Sequence, residues 1–146
     1  MKFITFLGAL FLTTVAAANP IEKISQNSVS QTIDKLEKIV LSKGFSVIAK
    51  VDHSAAAKKA GLELPPSQLL IFGNPKVGTK LMSSHGGIGL DLPVRILVYQ
   101  NKENKVVLSY HSPSSLAATY DIKDRTEIIS KMTKALDSFS SLATQK

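Results

Sequence analysis

The segment PVRILVYQNKENKVVLSYH, residues 93–111, constrains the fold of this chain more than any other. Two runs rich in Val, Ile, Leu and Tyr flank the polar stretch Asn101-Lys102-Glu103-Asn104. A connection that short joins antiparallel neighbours, because parallel strands need a crossover of a dozen or more residues. The hairpin therefore argues against a doubly wound parallel sheet. Upstream, FSVIAKVDH (45–53) alternates Phe45, Val47, Ala49 and Val51 with more polar or mixed positions and reads as a strand with one face on a core. QLLIFG (68–73), held between a Pro pair and Gly-Asn-Pro, reads as a short buried strand.

Helices fall between and after these strands. Ser28 stands three residues before Gln31, a capping-box spacing, and Val29, Ile33, Leu36, Ile39 and Val40 share one face before Gly44 ends the run. SAAAKKAG (54–61) predicts a short helix stopped at Gly61. Asn74 is placed to cap a third helix that Pro75 opens, and that segment ends at a Gly pair. Residues 113–122 predict one short helix and 123–143 a longer one, with Ile128, Ile129, Met132, Leu136 and Phe139 at helical spacing. Asn19 to Asn27, polar and turn-rich, reads as a linker. The order predicts an α+β domain: a small four-stranded mixed or antiparallel sheet with helices packed on one face, including a C-terminal hairpin followed by helices. The other face of such a sheet needs water-tolerant residues or a second copy of itself, which makes a homodimer the expected partner.

At 146 residues and 44% hydrophobic content the chain is sized for one domain, but part of the apolar content belongs to its start. MKFITFLGALFLTTVAAANP has Lys2 as a short basic head, an apolar run from Phe3 to Leu12, and Ala16 and Ala18 before Asn19. That is the pattern of a secretory signal peptide cleaved after Ala18, leaving 28–146 as the domain and an exported, periplasmic or secreted, protein. The run is short for ~30 Å of hydrocarbon, so no stable membrane span is expected. Cleavage removes Lys2 and moves the formal charge from +7 to +6. Lys and Arg are interspersed with Asp and Glu, without the basic block of a nucleic-acid binder. No cysteine is present, which removes disulfides, thiol nucleophiles and thiolate metal sites.

GFSVIAKVDHSAAAKKAGLELPPSQLLIFGNPKVGTKLM, followed by GLDLPVRILVYQNKENKVVLSYHSPSSLAATY, resembles the bacterial and archaeal family known as domain of unknown function 302. The likeness runs from Gly44 to Tyr120 and rests on the Asp-His strand exit, Phe-Gly-Asn-Pro and Leu-Pro-Val-Arg. The resemblance implies an α/β sandwich, a dimer, and no assigned reaction. MSSHGGIGLDLP (82–93) departs from the family's more acidic or polar pattern, so a role for His85 would belong to this chain in particular.

Candidate chemistry centres on three places. The N–H groups after Asn74, with the positive helix end, suit an anion, although a plain Asn cap explains the same letters; Thr79-Lys80 after Gly78 lacks Walker spacing. Arg95 and Tyr99, four apart on a strand, share a face and could grip a carboxylate or phosphate, with Ser109 and His111 nearby across the hairpin; an Arg salt-bridged on the sheet is the alternative. His53 directly follows Asp52, an arrangement open to a helix cap or to an acid/base oriented by the carboxylate. Met82 and His85 offer a soft-metal pair, while His53, His85 and His111 lie more than 25 residues apart with no local metal spacing. No Gly-x-Ser-x-Gly elbow is present.

Three functional classes follow. The leading one is an exported module that binds a small anionic or aromatic molecule through His53, Asn74, Arg95 and Tyr99, or across a dimer seam. The second is an enzyme with His53 as acid/base and Arg95 orienting the substrate. The third is a metal or haem carrier using a histidine or Met82. The residues name neither a cofactor nor the ligand.

Overall fold

The computed structural model describes residues 19–146; the leader expected at 1–18, with its cleavage point, lies outside the described residues. Five strands form one sheet: β1 (Ile21–Ser25), β2 (Ser46–Asp52), β3 (Ser67–Gly73), β4 (Val94–Gln100) and β5 (Val106–Tyr110). Their spatial order is β1-β5-β4-β3-β2, and every pairing is antiparallel. The helices are α1 (Val29–Ser42), α2 (His53–Lys59), α3 (Pro75–Met82), α4 (Pro113–Thr119) and α5 (Thr126–Thr144), with a 3-10 turn at Gly86–Leu90. No helix among the described residues is long and apolar enough to cross a membrane.

The local reasons for these elements are largely those visible in the letters. Ser28 and Gln31 form the reciprocal capping box at the start of α1, and Gly44 leaves the helix with φ +77°, a left-handed conformation that glycine adopts without cost. The apolar stripe Val29, Ile33, Leu36 and Val40 packs with Leu136, Phe139 and Ala143 of α5 against Leu70, Phe72, Ile96, Val98, Leu108 and Tyr110 of the sheet. Each such Leu, Ile or Phe contributes roughly 1.5–3 kcal/mol on burial, so α1 and α5 together hold one face. A second cluster, Leu81, Ile88, Ile122 and Ile129, ties α3, the 3-10 turn and the start of α5 into one end of the domain.

Two expectations need correction. Residues 19–27 are not a linker: β1 lies there, paired with β5 from Ile21–Tyr110 to Ser25–Val106, which makes the sheet five-stranded and wholly antiparallel. Its polar letters are consumed by distant partners. The Lys23 ammonium donates to the Asp137 carboxylate at 2.6 Å, the Asp137 carbonyl at 2.8 Å and Ser141 Oγ at 2.7 Å, while buried Ser25 and Thr32 share a hydroxyl hydrogen bond at 2.7 Å. The second correction concerns β2. Phe45, Val47, Ala49 and Val51 do not share one face, because the register shifts between Val47 and Ala49. Val47 opposes buried Phe72, whereas Ala49 and Val51 oppose Ile71 and Leu69 on the other face. A one-residue insertion inverts every side chain beyond it. It also leaves Ile48 out of the ladder and 60% exposed.

Candidate functional site

The sheet and its helices leave a groove of ≈480 Å³ between the β3-to-α3 turn and α5. Its walls are apolar: Phe45 just before β2 and Ile48 within it, Val77 of α3, Leu92 before β4, and Met132 and Ala135 of α5. The bulge in β2 aims Ile48 at the groove's lip, and Met82, 41% exposed, lines it from the end of α3. Phe45 is held edge-on against both Phe72 and Phe139, with ring centroids 5.8 Å and 5.6 Å apart. Gly73 lets the chain pass under Pro93, since a Cβ there would meet the Pro93 Cβ at 3.3 Å. Such a volume falls in the ~300–1,000 Å³ range of small-molecule sites.

Charge enters at the rim. Lys76 and Lys80 of α3 stand one helical turn apart, and Lys131 comes from α5 on the facing wall. Lys131 is paired with Glu127 at 2.7 Å, and this pairing, with Lys80 adding a smaller attraction, holds the Glu127 carboxyl below its usual range. Neither Lys76 nor Lys80 makes an ion pair among the described residues.

The residues singled out from the sequence are scattered about this groove. Asn74 lines it, but the amides at the start of α3 are not free for an anion: the Lys76 N–H donates to Asn74 Oδ1 at 3.0 Å, and the Val77 and Gly78 N–H groups donate to the Asn74 carbonyl. Positive charge at the mouth therefore comes from lysine side chains. Arg95 belongs to a separate crevice of ≈20 Å³ with Asp91 and His111, and Val94 and Met132 line both spaces. There its guanidinium donates to Asp91 Oδ1 at 2.8 Å and to the Leu90 carbonyl at 3.2 Å. The Tyr120 hydroxyl donates to the other Asp91 oxygen at 2.5 Å, which raises the Tyr120 phenol above its ordinary value. Tyr99 does share the Arg95 face, four residues along the strand, yet its hydroxyl donates to Glu22 at 3.2 Å; burial first, then that contact, raises its pKa.

His53 is farther away. It opens α2 beyond the Asp52–Gln68 pair, whereas Asn74 follows Gly73 at the opposite end of β3, a span of ~20 Å at strand rise. Asp52 does not orient it either. That carboxylate accepts from the Ala55 N–H at 2.8 Å, the Ser54 hydroxyl at 2.7 Å and Gln68 Nε2 at 3.0 Å, contacts that hold its pKa below the usual carboxylate range, chiefly through the Ala55 amide. A cleft of His53, Asn74 and Arg95 is thus not assembled. Met82 and His85 also part: Met82 lines the groove, while the His85 ring lies against Tyr120 at 5.6 Å and its Nδ1 accepts the Gly87 N–H. Among the described residues no three His, Asp or Glu side chains come together as a metal-ligand group.

Sequence reasoning missed Lys76, Lys131 and Ala135. The signal was present in part, as Lys76 and Lys80 at i, i+4, and Ile128, Met132 and Ala135 at i, i+4, i+7; both pairs of walls carry helical spacing, but only packing sets them opposite one another.

An antiparallel five-stranded sheet with α1 and α5 on one face defines an α+β class, and the same fold is found in the crystal structure of an uncharacterized conserved DUF302 protein from Bacillus stearothermophilus, at a TM-score of 0.76, 20% identity, and coverage of 87% of this chain and 99% of that one. Residues 21–139 match the family described as Domain of unknown function DUF302, and the chain belongs to that family. Among curated proteins it is similar to the fluoride-specific ion channel FluC 1 of Brucella suis biovar 1 (strain 1330) and to FluC 1 of Brucella abortus biovar 1 (strain 9-941), each 45% identical over 98 residues. The match takes in 67% of this chain but only 39% and 36% of those proteins' lengths.

Proposed function

We propose that this chain is an exported module that binds a small anionic molecule with an apolar body in the groove between α3 and α5. One observation carries the reading: an apolar groove of ≈480 Å³ has Lys76, Lys80 and Lys131 at its rim and the exposed side chains of Ile48 and Met82 at its lip. Exposed large apolar side chains beside a concave surface are the usual mark of a ligand site, and ammonium groups at its edge favour an anionic end. Export rests on the basic start, apolar run and Ala16-x-Ala18 ending of the leader. The second face of the sheet, with Leu69, Ile71 and Leu97, is covered in this reading by a second copy of the chain.

The test is a fluorescence titration of residues 19–146 with 8-anilinonaphthalene-1-sulfonate. Saturable one-to-one binding is expected, weakened severalfold in Lys76→Glu/Lys80→Glu, whose melting temperature stays that of the parent because both side chains are exposed. Equal affinity in parent and variant would refute the groove as the site. A second reading draws on the Brucella relatives, which are named for fluoride. It makes fluoride itself the anion, and a fluorine NMR titration distinguishes it: a groove site for an apolar anion leaves the fluoride line unshifted and unbroadened by the protein.

A further inference from the structure

We infer that the groove takes a single straight alkyl chain ending in an acidic head, the shape of a free fatty acid or a one-chain lipid. The inference rests on the binding-module reading and specifies its ligand. Three features of the groove select that chemistry. First, apart from Asn74, whose Oδ1 already caps α3, the uncharged side chains of its wall are hydrocarbon or thioether, so a ligand body with its own donors and acceptors would lose their hydrogen bonds with water and regain few. Second, Phe45 is the one aromatic ring lining it among the described residues, and that ring is committed to edge-on contacts with Phe72 and Phe139; the α3 and α5 walls contribute unbranched Met82 and Met132 with Val77 and Ile128. Flexible thioethers conform to a bending chain, whereas a planar aromatic ligand is served by a free ring face.

Third, the charge is confined to the rim and is of one sign at the α3 wall. Lys76 and Lys80 project from successive turns and form no ion pair among the described residues, while Lys131 across the opening is paired with Glu127, whose carboxylate also attracts Lys80 more weakly. A monovalent or divalent acid head seated there leaves its chain to run along Val77, Met132 and Ala135 beneath the lip formed by Ile48 and Met82. A cationic head is repelled at the same place, and a neutral head gains nothing from it.

The experiment is a displacement titration on residues 19–146, with 8-anilinonaphthalene-1-sulfonate bound and sodium octanoate, decanoate, dodecanoate and tetradecanoate as competitors below their micelle concentrations. Affinity should rise by about fourfold per added methylene until the groove is full. Dodecyltrimethylammonium should bind at least tenfold more weakly than dodecanoate, and Lys76→Glu/Lys80→Glu should lower dodecanoate affinity while keeping the chain-length slope. A flat series, or equal binding of the cationic amphiphile, overturns the inference. Sulfonate binding that no alkyl acid displaces overturns the alkyl assignment and leaves the binding module standing; absence of both removes both. Two further arms distinguish sources and occupants. Retention of one dodecanoate per chain through gel filtration supports a ligand taken as a free molecule. Binding to anionic phospholipid vesicles without any monomer binding overturns the inference in favour of a membrane surface, and loss of groove binding in a dimer that forms through this groove overturns it in favour of a second copy.

Discussion

Replacing Phe139 by Ala tests whether α5 both seals the core and builds the groove wall. Phe139 is 5% exposed and lies in the main core cluster, with its ring edge-on to Phe45 at 5.6 Å. Truncating a buried Phe to Ala costs about 3–5 kcal/mol through lost transfer energy and the cavity left behind. The upper half of that range is expected, because an aromatic pair adds ~0.5–1.5 kcal/mol beyond burial and because Phe45 loses one of its two ring partners. With an m-value of about 2 kcal/mol per molar urea, the midpoint of urea unfolding should fall by about 2 M. A domain of this size has roughly 5–15 kcal/mol in total, so the variant keeps a much reduced margin, close to zero at the low end of that range. The same change should loosen ligand binding in the groove, since Phe45 lines it and Ile128, Met132 and Ala135 ride on α5. Phe139→Leu, which keeps most of the volume, should recover most of both. The assay is equilibrium urea unfolding followed by far-UV circular dichroism, with sulfonate fluorescence read on the same samples. A midpoint shift below about 0.5 M in Phe139→Ala would refute the claim that α5 closes the core.

Asn74→Ala should cost on the order of 1 kcal/mol through the lost cap on α3, seen as a lower melting temperature, whereas Asn74→Asp should retain most of it; equal loss in both would refute a capping role. Asp52 has its carboxyl held down by the Ala55 N–H and the Ser54 hydroxyl, so its contribution is complete above the unfolded-state pKa of about 3.9 and is lost as pH falls through the lower native-state value. The stability gap between the parent and Asp52→Asn should therefore be constant from neutral pH down to about 5 and narrow below about 4, and a gap that stays level to pH 2 would refute it. Arg95→Met should change stability by no more than about 1 kcal/mol, because the Asp91 pair is partly exposed. It should also leave sulfonate affinity in the groove within about twofold, since the guanidinium sits in the separate crevice with Asp91; a larger loss of binding would return Arg95 to the ligand site.

What the letters alone decide here is local. Ser28 and Gln31 cap α1, Asn74 and Pro75 open α3, and the stripe of Val29, Ile33, Leu36 and Val40 faces the core, because each of these depends on residues within a turn or two of one another. The family resemblance is legible in short runs such as Phe-Gly-Asn-Pro and Leu-Pro-Val-Arg, and the family match extends over residues 21–139. Tertiary structure decided what depends on distant partners. Ile21–Ser25 is a strand because β5 offers it an edge and α5 offers Lys23 three oxygen acceptors more than a hundred residues away. The bulge that expels Ile48 is a property of the β2–β3 register, which a pattern of alternating letters does not carry. The site follows the same division. In the letters Arg95 and Asn74 are each open to two roles, anion binding or an ion pair for the first and anion binding or a helix cap for the second, and packing takes the second role in both: Asp91 pairs with Arg95 and Asn74 caps α3. The groove exists because α5 lays Lys131, Met132 and Ala135 across from Val77 and Lys80, and that juxtaposition is set by how two helices pack on one sheet rather than by any spacing within either.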